Sequence, residues 1–302
     1  MLVSMKSLLD KANKGKYAVG AFNINNLEII QAVAAAAAKL NAPVILQTSE
    51  SAIAYAGIEN LVALAKTFAG LNKIPIALHL DHGKNPDVIK KAINSGYTSV
   101  MIDASDKDFD ENIRLTKQVV SWAKNKVSVE AELGTLGGKE DYVSGKVQFT
   151  DPDKALEFIK KTRIDALAVA IGTSHGAYKF KGNAELDIAR LKEIKNKVKI
   201  PLVLHGASGV PQWIVDKANQ YGAKIENAEG VPDEQIKLAI KNGINKINTD
   251  TDIRLSFTAA IREFFAKNPS EFDPRKILAP AKQLMQQVVE QRIKTFGSGG
   301  KA

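Results

Sequence analysis

Short apolar runs alternate along the chain with longer segments in which apolar residues recur at helical spacing. Runs of about four to eight residues rich in valine and isoleucine are typical of buried strands, and the longer periodic segments are typical of helices. The pattern predicts eight strands, at residues 17–23, 43–49, 75–82, 99–104, 127–133, 166–172, 201–205 and 244–249. Helices are predicted to begin near Leu27, Ile58, Asn85, Phe109, Asp151, Leu186, Pro211 and Asp252, with further helices capped near Ser4, starting at 231–234 and covering 279–296.

Eight successive strand–helix units predict an α/β fold, the (β/α)8 TIM barrel, with a short N-terminal helix and a C-terminal helix. A doubly wound open sheet is the alternative, but it usually carries a glycine-rich turn after its first strand, and residues 20–25 (Gly-Ala-Phe-Asn-Ile-Asn) are not such a turn. No break in composition marks a linker, so residues 1–302 are predicted to form a single TIM-barrel domain. The glycine-rich tail after Phe296 is expected to be frayed.

Composition narrows the class of protein. With 45% hydrophobic and 25% charged residues, the 302-residue chain has the balance of a soluble globular protein, and no apolar run reaches the roughly 18 residues that span a bilayer. The absence of cysteine excludes thiolate metal sites and thiol nucleophiles, and it fits a cytoplasmic protein. The net charge of +9 suggests nucleic-acid binding, but the lysines are dispersed, so a lysine-rich surface or a polyanionic small substrate explains the charge better.

A polar residue lies at the end of every predicted strand. In a barrel of alternating strands and helices, the carboxyl ends of the strands meet at one rim, where active sites lie. Each such residue alone could simply cap the following helix, but eight strands ending in polar groups indicate a functional rim. These residues are Asn23, Ser49, Asp81 with His82, Asp103, Glu132, His175, His205, and Asn248 with Asp250.

Three of the four histidines, His82, His175 and His205, follow apolar strands. One strand-end histidine usually only satisfies hydrogen bonds, and the spacing is not a compact metal motif, but three converging imidazoles fit a zinc site with an open position. Asp81 lies next to His82, within reach of a metal-bound substrate. Because strand alternation would turn these two side chains to opposite faces, the strand is expected to twist or break there. His79, inside its strand, is expected to be a core or supporting residue.

Two long connections, at residues 134–151 and 172–186, are predicted to be lids or ligand loops, with a plain surface excursion as the alternative. The first is rich in glycine and contains Glu140, which could approach the rim when the loop closes. The second contains Lys179, a candidate for binding an anion. Both connections are therefore predicted to contribute to the site.

The loops after the seventh and eighth strands, residues 205–209 and 248–252, are suited to phosphate. Barrels frequently bind phosphate at these two loops, and small residues let backbone N–H groups approach an anion. Ser208 and Thr251 add hydroxyl donors, and Arg254 could form a bidentate contact. Gly-Ala-Ser-Gly alone is also ordinary turn chemistry, so the two loops count mainly in combination.

The chain as a whole resembles class II, metal-dependent fructose-bisphosphate aldolases, a group that includes tagatose-bisphosphate aldolases. The resemblance extends nearly from end to end. The matching segments are Leu-His-Leu-Asp-His-Gly at 78–83, Ser-Val-Met-Ile-Asp-Ala-Ser at 99–105, Val-Glu-Ala-Glu-Leu-Gly at 129–134, Gly-Thr-Ser-His-Gly at 172–176, Leu-His-Gly-Ala-Ser-Gly at 204–209 and Asn-Thr-Asp-Thr-Asp-Ile-Arg at 248–254.

This resemblance implies a role for each candidate residue. Catalytic zinc would be held by His82, His175 and His205, with Glu132 and Asp103 at an alternative or second metal position. Asp81 would be the acid/base at the hydroxyl of the cleaved carbon, and Glu140 would move a proton on the dihydroxyacetone phosphate side. A monovalent cation, Na⁺ or K⁺, would assist at the phosphate pocket. The implied substrate-binding residues are Asn23, Ser49, Gly176, Lys179, Gly206, Ser208, Asn248, Asp250, Thr251 and Arg254.

The implied reaction is the reversible cleavage of fructose 1,6-bisphosphate to dihydroxyacetone phosphate and glyceraldehyde 3-phosphate, in glycolysis and gluconeogenesis, through a zinc-stabilised enediolate. Tagatose 1,6-bisphosphate, the C4 epimer, is an alternative substrate. A zinc-dependent hydrolase is a further alternative, but it leaves the two phosphate-like loops unexplained. An aldolase without metal would need a Schiff-base lysine, and Lys246, the nearest candidate, is predicted to lie too deep.

The resemblance also bears on partners and metal. It implies a cytoplasmic homodimer or homotetramer acting on a small ketose bisphosphate, with neither nucleic acid nor membrane as partner. Cobalt or iron could replace zinc, because three imidazoles do not select sharply among these metals.

Overall fold

A computed structural model describes residues 2–135, 137–138, 148–175 and 185–302. Its strands are Val19–Asn23 (β1), Val44–Thr48 (β2), Ile76–Gly83 (β3), Ser99–Ile102 (β4), Ser128–Leu133 (β5), Gly137–Gly138 (β6), Ala166–Val169 (β7), Ser174–His175 (β8), Leu202–Leu204 (β9) and Ile244–Thr249 (β10). All except β6 and β8 form a closed parallel barrel in the order β1-β10-β9-β7-β5-β4-β3-β2. The predicted (β/α)8 barrel and its eight strands are confirmed.

The helices of the described residues surround the barrel and close its amino-terminal end. They are Met5–Gly15 (α1), Leu27–Lys39 (α2), Glu50–Ala56 (α3), Ile58–Leu71 (α4), Pro86–Ser95 (α5), Phe109–Ala123 (α6), Pro152–Thr162 (α7), Ile188–Lys197 (α8), Gln212–Gln220 (α9), Asp233–Lys241 (α10), Thr251–Lys267 (α11) and Pro274–Phe296 (α12). The apolar pattern does not predict α3, because this helix buries none of its residues. α12 begins before the predicted residue 279, since Asp273 caps it and Pro274 starts it.

The register of the barrel strands arranges the inward-facing residues in layers. Alternate residues of a strand point inward, and parallel register brings those of neighbouring strands level with each other. Gln47 is level with His79, and Glu130 is level with Ala166. In the pairing of β10 with β9, Lys246 is level with Val203. Small residues such as Ala166 leave room inside the barrel for these longer polar side chains.

The amino-terminal end of the barrel is closed by α1. Its buried residues Met5, Leu8 and Leu9 pack on inward-facing small and branched residues from the lower parts of the strands. Ser4 occupies the N-cap position as predicted, but its hydroxyl lies 2.9 Å from the Ser128 Oγ of β5 and does not cap the helix. The helix is therefore attached to the barrel by apolar contacts and by side-chain hydrogen bonding.

The expectation of a frayed C-terminal tail is wrong. Ser298 is fully buried, and the amides of Gly300 and Ala302 donate to the carbonyls of Leu40 and Asn41 at 2.9 and 3.1 Å. The turn after α2 thus offers acceptors that hold the last residues. Within the part of the chain that the structure describes, no helix is both long enough and apolar enough to cross a membrane.

Candidate metal centre and active site

The carboxyl rim of the barrel collects the polar strand-end residues on inward-facing positions. Successive inward positions of β3 are Ala77, His79 and Asp81, and those of β5 include Glu130 and Glu132. The rim residues from six barrel strands, Asn23, Asp81, Asp103, Glu132, His205 and Asn248, thus share one end of the barrel, and all but Asn23 are buried. The clustering predicted from the strand ends is confirmed for these described residues.

A local break in β3 brings Asp81 and His82 to the same site. His82 adopts a left-handed backbone with φ of 47°, and the pairing of β3 with β4 shifts register between Leu80 and Gly83. A left-handed conformation is unfavourable for a residue with a Cβ, so it marks a local strain of the kind often found at functional sites. At Gly83 an added Cβ would lie 2.5 Å from the Met101 carbonyl oxygen, which requires glycine there. The predicted irregularity is confirmed.

The imidazoles of His82 and His205 are in contact at the rim. Their ring centroids lie 4.6 Å apart at an interplanar angle of 62°. One potential ligand atom each from Asp81, His82 and His205 falls within a group whose members all lie within 4.8 Å of one another. Neutral imidazole and carboxylate are ordinary ligands of divalent transition metals, so this donor set fits the implied ion.

A second group combines His82 with Asp103 and Glu132, whose potential ligand atoms also lie within 4.8 Å of one another. The Nδ1 of His82 is 2.9 Å from Asp103 Oδ2 and 3.9 Å from Glu132 Oε2. The Nδ1 of His205 is 3.0 Å from the same Glu132 oxygen. The two groups share His82, and this arrangement fits the predicted alternative or second metal position.

When no metal ion is bound, the carboxylates around His82 determine the charge of its imidazole. Burial disfavours a charged imidazole, but Asp81, Asp103 and Glu132 outweigh it and raise the pKa of His82 to about 10. Burial also opposes ionisation of Asp103, but the hydrogen bond and charge of His82 lower the Asp103 pKa well below its ordinary value. Because a metal ligand must be deprotonated, a proton and a divalent ion compete for His82.

Three amide side chains surround the carboxylate of Asp81. Asn248 Nδ2 donates to Oδ1 at 2.9 Å, and Gln47 Nε2 donates to Oδ2 at 3.1 Å. Asn23 Nδ2 approaches Oδ2 at 3.4 Å, and its own Oδ1 accepts from Gln47 at 2.6 Å. Burial alone would raise the pKa of Asp81, but the charge of His82 and more distant cations lower it. Asp81 is therefore held as an oriented, ionised carboxylate.

Gln47 is a site residue that the sequence analysis misses. It lies inside the apolar strand β2 and is fully buried, so hydropathy alone gives no reason to single it out. A signal is nevertheless present, because Gln47 is two residues before Ser49 and therefore shares its strand face. Ser49 itself caps α3: its Oγ accepts from the Ala52 amide at 3.2 Å.

The loop after β9 approaches the neighbouring backbone closely at Gly206. This residue has φ of 59°, and a Cβ there would lie 2.6 Å from the Ser174 carbonyl oxygen, so glycine is required twice over. Ser208 Oγ accepts from the amide of Asp250 at 3.3 Å, which joins the loops after β9 and β10. The two loops that the sequence predicts for phosphate thus lie side by side.

Charged residues at the start of α11 form ion pairs and hydrogen bonds that stabilise the loops after β9 and β10. Asp250 pairs with Arg254 through contacts of 2.9 and 2.7 Å, and Thr251 begins the helix. Asp252, which is fully buried, accepts from the Val210 amide at 2.8 Å and lies 3.0 Å from Arg292 Nε. The support that Asp252 gives to the β9 loop is not predictable from its position as a helix start.

Part of the predicted site lies outside the described residues. Glu140, Gly176 and Lys179 belong to this part, and so does the side chain of His175. The backbone of β8, which includes His175, pairs in parallel with β6, with Gly137 level with Ser174. The two long connections are thus joined to each other by backbone pairing near their starts.

The buried lysine of β10 is not suited to Schiff-base chemistry. Lys246 has no exposed surface, and its Nζ lies 3.0 Å from Glu130 Oε2. His79 is also fully buried and makes a 2.8 Å contact from Nδ1 to Ser99 Oγ. The interpretation of His79 as a core or supporting residue and the deep position of Lys246 both agree with the structure.

A closed (β/α)8 barrel with a histidine–carboxylate cluster at its carboxyl rim belongs to the class of TIM-barrel enzymes and offers a metal-binding donor set. The class II fructose-bisphosphate aldolase family model matches residues 3–301. The chain belongs to this family, so it is a lyase of the aldolase type, and the hydrolase alternative is not favoured.

Full-length relatives support the assignment to this family. A fructose-bisphosphate aldolase from Giardia intestinalis is 49% identical over 307 residues, covering 100% of this chain and 94% of the relative. A protein of the same name from Thermus caldophilus is 49% identical over 306 residues and is covered completely, as is this chain. Among solved structures, the YdjI aldolase from Escherichia coli K12 matches over 100% of both chains at 32% identity, with a TM-score of 0.80.

Proposed function

We propose that this protein cleaves fructose 1,6-bisphosphate reversibly to dihydroxyacetone phosphate and glyceraldehyde 3-phosphate at the carboxyl rim of its barrel. The cluster of Asp81, His82 and His205 carries the proposal, since it combines a poised base with a donor set for a divalent ion. The family and the names of the full-length relatives support the same reaction.

Zinc is the proposed metal, with His82, His175 and His205 as its ligands. Asp103 and Glu132 provide the alternative or second position, because both contact a ligand histidine. A bound divalent ion would supply Lewis-acid stabilisation of the negative charge that develops beside the ketose carbonyl when the C3–C4 bond breaks. A monovalent cation, Na⁺ or K⁺, is proposed beside the phosphate of the dihydroxyacetone half.

Asp81 is the proposed acid/base at the C4 hydroxyl. Its ionised carboxylate can accept the hydroxyl proton as the C3–C4 bond breaks, and it returns that proton in the condensation direction. The amides of Asn248, Gln47 and Asn23 hold the carboxylate in a fixed orientation. Glu140 is proposed to transfer the proton at the carbon that becomes part of dihydroxyacetone phosphate.

Substrate binding is proposed along the rim on both sides of Asp81. Arg254 would bind the phosphate of the aldehyde half as a bidentate partner, together with Ser49, while Asn248 contacts the substrate hydroxyls. Because Arg254 is paired with Asp250 in the structure, substrate phosphate would compete with a carboxylate for the guanidinium. The dihydroxyacetone phosphate pocket would be formed by Gly176, Lys179, Gly206, Ser208, Asp250 and Thr251.

A coupled assay tests the reaction. Protein treated with a chelator should lose activity and regain it with zinc, and the products should be two triose phosphates. Release of inorganic phosphate without triose phosphate would favour a hydrolase instead. Borohydride reduction in the presence of substrate should leave the protein unmodified, and covalent trapping at a lysine would contradict the metal-dependent route.

The substrate epimer is tested by comparing kcat/KM for fructose and tagatose 1,6-bisphosphate under the same conditions. The fructose epimer should be preferred, in line with the names of the relatives. The reverse preference would move the assignment to the tagatose branch of the family. A cytoplasmic homodimer or homotetramer is the proposed form of the protein, and sedimentation would establish the number of subunits.

A further inference from the structure

Three titratable side chains lie inside the barrel below the rim and have no part in the proposed proton transfer. Glu130 of β5, His79 of β3 and Lys246 of β10 have no exposed surface at all. Buried ions are strongly disfavoured unless partners compensate them, and apolar residues of similar volume often give equal or greater stability. Packing alone therefore does not explain why this level of the barrel contains an ion pair.

Glu130 lies at the centre of the group and connects it to the rim. Its Oε1 accepts from His205 Nε2 at 2.8 Å and is 3.2 Å from Lys246 Nζ. Its Oε2 is 3.0 Å from the same ammonium and 3.6 Å from His79 Nε2. His79 is in turn fixed by the 2.8 Å contact of its Nδ1 with Ser99 Oγ. Hydrogen bonds and ion pairs thus extend from Lys246 through Glu130 to one of the proposed zinc ligands, while His79 lies beside Glu130 without a hydrogen bond to it.

A carboxylate can only accept hydrogen bonds, so its contact with His205 places a proton on Nε2. When the imidazole keeps only this proton, as a metal ligand must, its lone pair is on Nδ1. Nδ1 of His205 faces the rim, where in the protein without metal it donates to the carboxylate of Glu132 at 3.0 Å, and a metal ion bound at the rim would replace that proton. The contact therefore selects which of the two ring nitrogens is available for a metal ion at the rim.

We propose that the Glu130–Lys246 pair is a positioning device that holds His205 with Nε2 protonated and Nδ1 directed at the metal. Partners of this kind fix ligand orientation and increase ligand basicity in metal sites generally. The inference rests on the proposed function, because it assigns these residues to the metal centre of that reaction.

Lys246 has a specific part in this device. It contacts both oxygens of Glu130 and comes from a strand that is not a neighbour of β5 in the barrel. The ammonium compensates the buried carboxylate and prevents its rotation away from His205. A lysine that no substrate can reach thereby contributes to the site through two intervening side chains.

The test replaces the ion pair with apolar residues of similar size. Glu130→Leu alone would leave the Lys246 ammonium buried without a counter-charge, which would endanger folding. The double variant Glu130→Leu/Lys246→Met removes both charges together. Its affinity for zinc alone, measured by competition with a chromophoric chelator, should be weaker than wild type by about 10–100-fold.

A second double variant distinguishes positioning from packing. Glu130→Gln/Lys246→Met retains an amide oxygen that can accept the His205 Nε2 proton, so it should recover part of the lost zinc affinity. The matched control is Lys39→Met/Glu290→Leu, which removes a peripheral ion pair of 2.8 Å and should leave the affinity unchanged. Equal affinity in the wild type and the Leu/Met variant would overturn the proposal.

A measurement on the wild-type protein tests the protonation of His205 directly, even where a variant does not fold. In the zinc-loaded enzyme labelled with ¹⁵N-histidine, NMR should show His205 protonated at Nε2, with slow solvent exchange because the site is buried. Protonation at Nδ1 would contradict the proposal. A wild-type protein that binds no zinc, or that does not cleave fructose 1,6-bisphosphate, would refute the proposed function instead, so the two failures can be told apart.

Discussion

The two ends of the barrel are built from the same strands but differ in the kind of side chain they face inward. At the amino end, Ala77 and Val19 meet the apolar face of α1, with Leu8 and Leu9 filling the opening. At the carboxyl end, the corresponding inward positions carry the carboxylates and imidazoles of the rim. One strand therefore serves stability at its start and chemistry at its finish.

The difference shows where the barrel strands themselves tolerate a left-handed backbone and buried charge. Of the described residues at the rim, His82 has a left-handed backbone and Asp81 is a buried carboxylate. At the amino end, left-handed residues such as Lys16 and Arg163 lie in the connections before the strands, and the strands themselves face apolar residues inward in close packing. Barrels of this type generally separate stability and activity in this way, so substitutions at the two ends should have different consequences.

Removing an imidazole should give the largest effect. His205→Ala takes away a proposed metal ligand and leaves Glu130 and Glu132 without their shared partner. We expect zinc binding to be lost and turnover to fall by roughly three orders of magnitude, since Lewis-acid stabilisation contributes several kcal/mol. Metal content by atomic absorption and kcat by coupled assay would measure both. Substantial turnover in the variant would contradict the role of this histidine.

Replacing the proposed base should have an effect of comparable size on kcat. Asp81→Asn keeps the size of the side chain but cannot accept the C4 hydroxyl proton, so kcat should fall by about 10²–10⁴-fold. The fall should appear mainly in kcat, because the amide still occupies the position between Asn248 and Gln47. A loss confined to KM would assign Asp81 to binding and not to proton transfer.

These two sites differ in how far the sequence alone predicts them. Asp81 and His205 are predictable because each ends an apolar run, and the closed parallel barrel brings all such ends to one rim. Gln47 is harder to predict, since it interrupts an apolar strand without ending it and is marked only by the strand face that it shares with Ser49. The contact of Asp252 with the Val210 amide joins residues distant in sequence, so only the folded chain shows it.

The conformation of His82 marks another limit of sequence analysis. Strand periodicity places Asp81 and His82 on opposite faces, and only the left-handed backbone at His82, with the register shift before Gly83, brings both into one site. The sequence predicts that an irregularity is needed but not its form. The prediction of a frayed tail after Phe296 is wrong for a similar reason. The hydrogen bonds of the tail depend on the turn after α2, which is remote in sequence.

A cavity at the amino end should lower stability and leave zinc binding and turnover unchanged, the reverse of the effects expected at the rim. Leu9→Ala removes a fully buried side chain between α1 and the barrel interior, and it should lower the free energy of unfolding by about 2–5 kcal/mol. Zinc affinity and kcat of the folded protein should remain close to wild type. Urea unfolding and the coupled assay would test both. The control is Leu71→Ala, at a leucine that is 75% exposed, which should change stability by less than about 0.5 kcal/mol.

The smallest expected effect is a pH-dependent contribution of one lysine at the amino end to the free energy of unfolding. Burial and the nearby charge of Lys199 lower the pKa of Lys195 to about 8 from 10.5, and its Nζ donates to the Ile200 carbonyl at 3.0 Å. Between these two pKa values the unfolded chain binds more protons at this group than the folded protein does, so its contribution to stability rises with pH. Because Lys195 is partly exposed, solvent screening reduces the change to about 1 kcal/mol.

Lys195→Met should remove this contribution, so that stability measured by urea unfolding from pH 7.5 to 10.5 rises less than in the wild type. The control Lys192→Met, at an exposed lysine on the same helix, should retain the wild-type slope. Since the contribution arises at the amino end, kcat at pH 7.5 should be the same in both variants as in the wild type. A change in kcat for Lys195→Met would show that the two ends are energetically coupled and would weaken the separation between stability and activity.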